Sequence, residues 1–337
     1  MRPIAEFTGQ LDQPKEIVIT THPNPDADAL GSSLGLAHFL RGRGHRVTII
    51  TPTDFPEFLL WMPGSDEIIC YRDDKEEEIK AHFRNAEIVF CLDFSSLNRM
   101  KGLEVPFRTS SGTKVLIDHH LEPEKLAEYQ LWDTNAAATA ELIYDLILMM
   151  KGKEEITPAI ANCIYAGIMT DTGSFKHPST TAKVHRTVAE LIDLGANVNM
   201  VNREIYDTNS LNRLRFIGYA LLEKLVVKKD LQVAYFVISS QDFERFQIKN
   251  SDTEGLVNYA LSIKGIIMAT IIIEREDEIK LSFRSVGEYS VNTFAQKYFE
   301  GGGHKNASGG SSNDSLEKTL SRFEDLIVDY KEKYLAV

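Results

Sequence analysis

The residues best suited to chemistry are acids and imidazoles in four short segments. These are His22-Pro-Asn-Pro-Asp26-Ala-Asp28, Leu92-Asp93, Asp118-His119-His120, and Asp171 within AGIMTDTGSF. Carboxylates mixed with imidazoles suit a divalent cation, Mn²⁺ above all, with Mg²⁺, Co²⁺ or Zn²⁺ able to use the same donors. Gathered in one crevice, the five carboxylates would repel one another. Two cations roughly 3.5–4 Å apart, bridged by a carboxylate, would neutralise that charge, activate water near neutral pH and clamp a phosphoryl oxygen. The expected metal site consists of His22, Asp26, Asp28, Asp93, His119 and Asp171.

Each segment alone also has an ordinary reading. HPNPDAD is rich in turn formers, Asp28 could cap a helix, Asp93 could do the same before Phe94-Ser95-Ser96, and Asp171-Thr-Gly is a common loop motif. Adjacent His119 and His120 would point to opposite faces of a strand, so one could bind metal while the other faces core or substrate. His38, His45, His82 and His185 lack acidic company and read as packing or surface residues. His177 is intermediate because it closely follows Asp171.

The elements that must position these groups are legible as apolar, β-branched runs. EIVITTH (16–22), HRVTIITP (45–52), AEIVFCLD (86–93) and TKVLIDHH (113–120) read as buried parallel strands. Helices are expected over roughly 27–43 and 137–151. Strands alternating with helices mean an α/β domain with a mostly parallel sheet, and in such sheets ligands bind beyond the carboxyl ends of the strands. Residues 157–228 read as helical. After them DLQVAYFVIS, GIIMATIIIERED and EIKLSFRS read as strands of a smaller second sheet, 301–310 as a glycine-rich loop and 316–334 as an amphipathic terminal helix. The expected layout is a catalytic domain over 1–190, a helical linker over 191–229 and a smaller α/β domain over 230–337.

Composition limits the function class. The chain has 337 residues, and at roughly 100–200 residues per domain that favours two domains. A net charge of −12 argues against gripping long nucleic acid through its phosphates, though not against a short anionic substrate. No apolar run approaches the roughly 20 residues of a membrane span, and the N-terminus lacks the order of a signal peptide. A cytoplasmic protein without membrane contact is expected. Cys70, Cys91 and Cys163 show no CxxC spacing and read as reduced thiols.

The loop GGGHKNASGG offers glycine N–H groups and His304 to an anion, and Arg284 in KLSFRS could grip a phosphate or carboxylate with two bonds. A tight connecting loop is the alternative.

With these motifs in view, the chain strongly resembles the DHH phosphoesterase superfamily, in the branch with a DHH-associated C-terminal (DHHA1) domain. Asp118-His119-His120 is the naming motif. HPNPDADALGS, Leu92-Asp93 and GIMTDTGSF resemble the other N-terminal motifs in order, and KLSFRS with GGGHKNASGG resembles the C-terminal hallmark. In size and layout the chain is similar to oligoribonucleases that also act as pAp phosphatases. The resemblance implies one metal held by His22, Asp26 and Asp93 and a second by Asp28, Asp93, His119 and Asp171, with Asp93 bridging. It further implies that Asp118 orients His119, that His120 faces the scissile phosphate, and that Arg284, Ser285, Gly301, Gly302, Gly303 and His304 bind substrate. The implied substrates are short single-stranded RNA or DNA oligonucleotides and 3′-phosphoadenosine 5′-phosphate (pAp), with a homodimer as a further expectation. The alternatives are hydrolysis of cyclic or linear dinucleotides, of pyrophosphate or of polyphosphate, and, outside the enzymes, a nucleotide- or RNA-binding module.

Overall fold

A computed structural model describes residues 1–121 and 123–334. It divides into two compact units after Thr208, within the stretch expected to act as a linker.

The first unit has seven strands: β1 (Arg2–Pro3), β2 (Glu16–Thr20), β3 (Arg46–Thr51), β4 (Ile69–Cys70), β5 (Ile88–Leu92), β6 (Thr113–Asp118) and β7 (Tyr129–Trp132). They form one sheet in the order β1-β7-β6-β5-β2-β3-β4, with all neighbours parallel. The four long strands are those expected from their apolar runs. β1, β4 and β7 have only two to four residues, too few to show a period. The helices are α1 (Ala27–Gly42), α2 (Glu76–Asn85), α3 (Glu104–Thr109), α4 (Thr139–Met149), α5 (Pro158–Asp171), α6 (Ala182–Asp193) and α7 (Val198–Tyr206). Ile17, Ile19, Val47, Ile49 and Phe90 pack on one face with α1, α4 and α5. Val18, Ile50, Val89 and Cys91 pack on the other with Ile79, Phe83 and Phe107 of α2 and α3. Among the described residues no helix is long and apolar enough to cross a membrane.

The strand order explains where a site can form. From β2 the chain runs outward through β3 and β4, then returns to place β5 on the other side of β2. Such a reversal opens a crevice beyond the carboxyl ends of the two central strands. The segment 22–28 follows β2, Asp93 follows β5, and 118–120 ends the neighbouring β6. Asp93 adopts a left-handed backbone conformation, with φ of 64°, which turns the chain sharply out of its strand. Such conformations are uncommon away from glycine, though Asp tolerates them better than most residues.

In chain order, the second unit comprises α8 (Leu211–Tyr219), β8 (Leu225–Lys228), β9 (Val233–Ile238), α9 (Ser240–Phe246), α10 (Leu256–Leu261), β10 (Met268–Glu274), β11 (Ile279–Ser285), α11 (Val291–Tyr298), β12 (Gly302–His304), β13 (Ala307–Ser312) and α12 (Leu316–Tyr334). The sheet order is β12-β13-β11-β10-β9-β8; β9 and β10 are parallel and the other pairs antiparallel. Leu281, Phe283, Phe294 and Phe323 fill one face, and Phe216, Phe236, Leu256 and Ile271 the other. Two sequence expectations change here. Residues 225–228 form an edge strand rather than helix, and the glycine-rich loop is a hairpin in which Gly302 pairs with Gly309 and His304 with Ala307. Glycines carry no side chain to display the two-residue alternation of a strand, so the hairpin left no pattern to read.

Candidate functional site

Two histidines define the geometry at the crevice. Nδ1 of His22 lies 2.9 Å from the Pro23 carbonyl. A carbonyl only accepts, so this contact places a proton on Nδ1 and turns Nε2 toward the crevice. That Nε2 faces Asp93 Oδ2 at 3.4 Å. His119 repeats the arrangement: its Nδ1 meets the Ala136 carbonyl at 3.1 Å, and its Nε2 lies 3.3 Å from Asp171 Oδ2, 3.6 Å from Asp93 Oδ1 and 3.9 Å from Asp28 Oδ2.

Two of the carboxylates are held by backbone donors. Asp26 caps α1, its Oδ1 accepting the N–H groups of Asp28 and Ala29 at 3.0 and 3.1 Å; the cap considered for Asp28 is therefore made by Asp26. Asp28 is buried and accepts from the first turn of α4, with Thr139 N–H donating to Oδ2 at 2.7 Å and Ala140 N–H to Oδ1 at 2.8 Å. Ala138, the residue preceding α4, makes no side-chain cap, so Asp28 supplies one from another helix. Asp171 is the last residue of α5 rather than part of a loop. A carboxylate at a helix C-terminus opposes the helix dipole, and a cation would relieve that conflict.

The ligand atoms fall into compact groups. Those of His22, Asp26 and Asp93 lie within 4.8 Å of one another, and so do those of Asp28, His119 and Asp171. Cis ligands of one metal, at metal–ligand distances near 2.1 Å, stand roughly 3 Å apart. The contacts of 3.3–3.9 Å between imidazole and carboxylate atoms are near that spacing. Asp93 touches both groups, with Oδ2 toward His22 and Oδ1 toward His119. The donor set suits divalent cations.

Asp118 differs from expectation. Its Oδ1 accepts from His120 Nδ1 at 2.8 Å and from His120 N–H at 3.2 Å, while His119 is oriented by Ala136. The bond from the N–H two residues on is a local Asx turn at the end of β6, which places Asp118 beside His120 rather than His119. The chain also leaves β6 before the histidines, so both rings reach Asp93 instead of pointing apart: His120 Nδ1 lies 3.7 Å from Asp93 Oδ1.

The electrostatics reflect crowded charge. Burial, then the charges of Asp93, Asp171 and Asp26, pushes the Asp28 carboxyl well above its usual range. Burial acts the same way on Asp93, but the His22 hydrogen bond and the charges of His120, His22 and His119 outweigh it and hold Asp93 well below the usual carboxylate range. Burial lowers His22, yet its hydrogen bond to Asp93 and the charges of Asp26 and Asp93 raise it to about 9. For His120 burial is again overcome, chiefly by Asp118, and the pKa rises. Closely packed acids and bases perturbed in this way are typical of functional sites.

In the second unit, register places Arg284, Ala307 and His304 in one row across β11, β13 and β12. Directly paired residues share a sheet face, so the guanidinium and imidazole flank a small residue. Ser285 alternates to the core face with Leu281 and Phe283. Its hydroxyl donates to the Tyr289 carbonyl at 2.6 Å and accepts from Asn306 Nδ2 at 2.8 Å, which makes it a tether of the hairpin rather than a substrate contact. A Cβ on Gly301 would come within 2.0 Å of the Gly309 carbonyl, and one on Gly303 within 2.6 Å of the Ala307 carbonyl, whereas Gly302 has room. Gly301 and Gly303 therefore allow close strand packing. In the first unit, exposed His177 meets the Asp171 carbonyl at 3.2 Å.

Sequence reasoning missed the groups behind the ligands: Ala136, Thr139, Ala140 and Gly167. Their role comes from contacts between distant segments. The run of small residues Ala136–Ala140 is the one signal that a backbone comes close there.

The chain is similar to known proteins in both of its units. Residues 16–168 match the model of the DHH family N-terminal domain, and residues 230–330 match that of the DHHA1 domain. The bifunctional oligoribonuclease and PAP phosphatase NrnA of Bacillus subtilis is 30% identical over 94% of this chain and 96% of its own length. The protein of the same name from Thermus thermophilus is 31% identical, over 92% of this chain and 87% of its own. A crystal structure of an exopolyphosphatase-related protein from Bacteroides fragilis superposes with a TM-score of 0.93 at 38% identity, covering 98% of this chain and 96% of that one.

Proposed function

We infer that this chain hydrolyses short nucleotides and pAp, on the premise that it belongs to the DHH family and carries a DHHA1 domain. Two divalent cations, most naturally Mn²⁺, would be held by His22, Asp26 and Asp93 and by Asp28, Asp93, His119 and Asp171. The observation that carries this reading is Asp93, whose two oxygens face the two ligand groups. When bound, such cations activate water and neutralise phosphoryl oxygens.

The protein's own groups do the rest. Backbone carbonyls hold both ligand histidines in the tautomer that offers Nε2. The N-terminus of α4 fixes Asp28. Asp118 keeps a proton on His120, which donates to a phosphoryl oxygen as negative charge grows there. Arg284, His304 and the backbone at Gly302–Gly303 bind a phosphate of the substrate, while the Gly301 N–H is taken by the Ala295 carbonyl. The names of the relatives from B. subtilis and T. thermophilus support short oligoribonucleotides and pAp as substrates. We also propose that the chain acts in the cytoplasm as a homodimer, which mass measurement in solution will check.

The test is turnover of pAp and a ribodinucleotide with Mn²⁺, beside a cyclic dinucleotide, pyrophosphate and polyphosphate. The expected result is hydrolysis of the first two, lost on chelation and in Asp93→Ala. Full activity of Asp93→Ala, or preference for polyphosphate, would overturn this reading.

A further inference from the structure

We propose that Thr139 is a positioning residue that couples the two ligand groups by fixing the orientation of the Asp93 carboxylate. The inference rests on the two-cation reading above and assigns a role to a residue outside all the sequence motifs.

Thr139 is fully buried and is the first residue of α4. It reaches two carboxylates at once. Its hydroxyl donates to Asp93 Oδ1 at 2.9 Å, and its N–H donates to Asp28 Oδ2 at 2.7 Å. The hydroxyl is not used to cap its own helix, the usual local employment of Ser or Thr at a helix start. It bonds instead to a residue 46 positions away in the chain.

That bond settles a torsion that is otherwise soft. The terminal torsion of an Asp side chain is broad and roughly two-fold, so a carboxylate serving two ions needs an outside partner to decide which oxygen faces which ion. Here Oδ1 accepts from Thr139 and faces His119 at 3.6 Å, while Oδ2 is left toward His22 at 3.4 Å. Without the hydroxyl, the carboxylate can rotate toward one group at the expense of the other. Because the N–H of the same residue holds Asp28, the two carboxylates are referenced to one rigid point, the first turn of α4.

Thr139→Val isolates the hydroxyl: the shape is nearly kept, and so is the N–H bond to Asp28. Mn²⁺ titration by calorimetry and electron paramagnetic resonance reads the effect, with thermal melting to verify the fold. The wild type is expected to bind two ions per chain with a spin-coupled signal. Thr139→Val should keep one ion, weaken the second by roughly 10–100-fold and lose the coupled signal, and Thr139→Ser should restore both. Wild-type binding and coupling in Thr139→Val would overturn the proposal, as would failure of Thr139→Ser to restore them. If Thr139→Val and Thr139→Ala both lose the fold while Thr139→Ser keeps it, the hydroxyl is structural and the proposal fails. A wild type that takes up no pair of ions would defeat the two-cation reading itself, before any variant is measured.

Discussion

Gly167→Ala probes how closely the helices behind the site must pack. Gly167 lies in α5, where an added Cβ would stand 2.6 Å from the Ala140 Cβ, 2.8 Å from Asp28 Oδ1 and 3.2 Å from the Asp28 Cα. Ordinary contact begins near 3.4 Å, so α1 and α4 would have to withdraw by about 0.6–0.8 Å. Alanine gains about 1 kcal/mol of helix propensity over glycine, while overpacking costs about 1–3 kcal/mol. The net loss is therefore up to about 2 kcal/mol, a fall in Tm of several degrees for a unit of this size. Function should suffer more, because the atoms that must move are a proposed metal ligand and one of its two N–H donors. A misplacement of about 1 Å can cost about 10²-fold in rate, so we expect a loss of roughly tenfold or more in a protein still folded at 25 °C. Calorimetric melting, Mn²⁺ titration and initial rates on pAp, run on the same preparation, separate the two effects. Wild-type rate and metal affinity in Gly167→Ala would refute the reasoning, and so would a rate loss that merely tracks the unfolded fraction.

Further expectations concern packing, thiols and the phosphate contact. Gly31→Ala should destabilise the first unit by about 3 kcal/mol or more, because its Cβ would meet the Cys163 carbonyl at 2.3 Å; Gly42→Ala, with nothing within 4 Å, should be neutral or stabilising by up to about 1 kcal/mol. Chemical denaturation distinguishes them. Burial pushes Cys163 up to about 12 and Cys91 higher still, while Cys70 is only half-buried, so mass spectrometry after native alkylation should find label on Cys70 alone. His120→Ala should lower kcat by roughly 10²–10³-fold while leaving the number of bound ions unchanged, read by steady-state kinetics and metal analysis.

How much was legible in the sequence depended on whether the signal was local. β2, β3, β5 and β6 announced themselves as apolar β-branched runs, and the acids and imidazoles at their ends marked the crevice. The structure brings His22 and Asp26 together with Asp93, and Asp28 together with His119 and Asp171, from segments that each carry a recognisable motif. The misreadings arose where the information lay in pairing. The Gly302–His304 hairpin strand has too little side chain to show alternation, and the edge strand at Leu225–Lys228 continues a helical stretch without a break in composition. Asp118 was assigned to its chain neighbour His119, whereas the turn that follows β6 gives it His120. Thr139 was invisible because its partners, Asp28 at the start of α1 and Asp93 after β5, are distant in the chain and meet only after the sheet is assembled.

The most direct measurement is anomalous diffraction at the manganese edge from crystals grown with Mn²⁺. Two peaks roughly 3.5–4 Å apart, one bonded to each oxygen of Asp93, are expected. A single peak, or a pair in which Asp93 contacts only one ion, would contradict the bridging role on which the proposed chemistry depends.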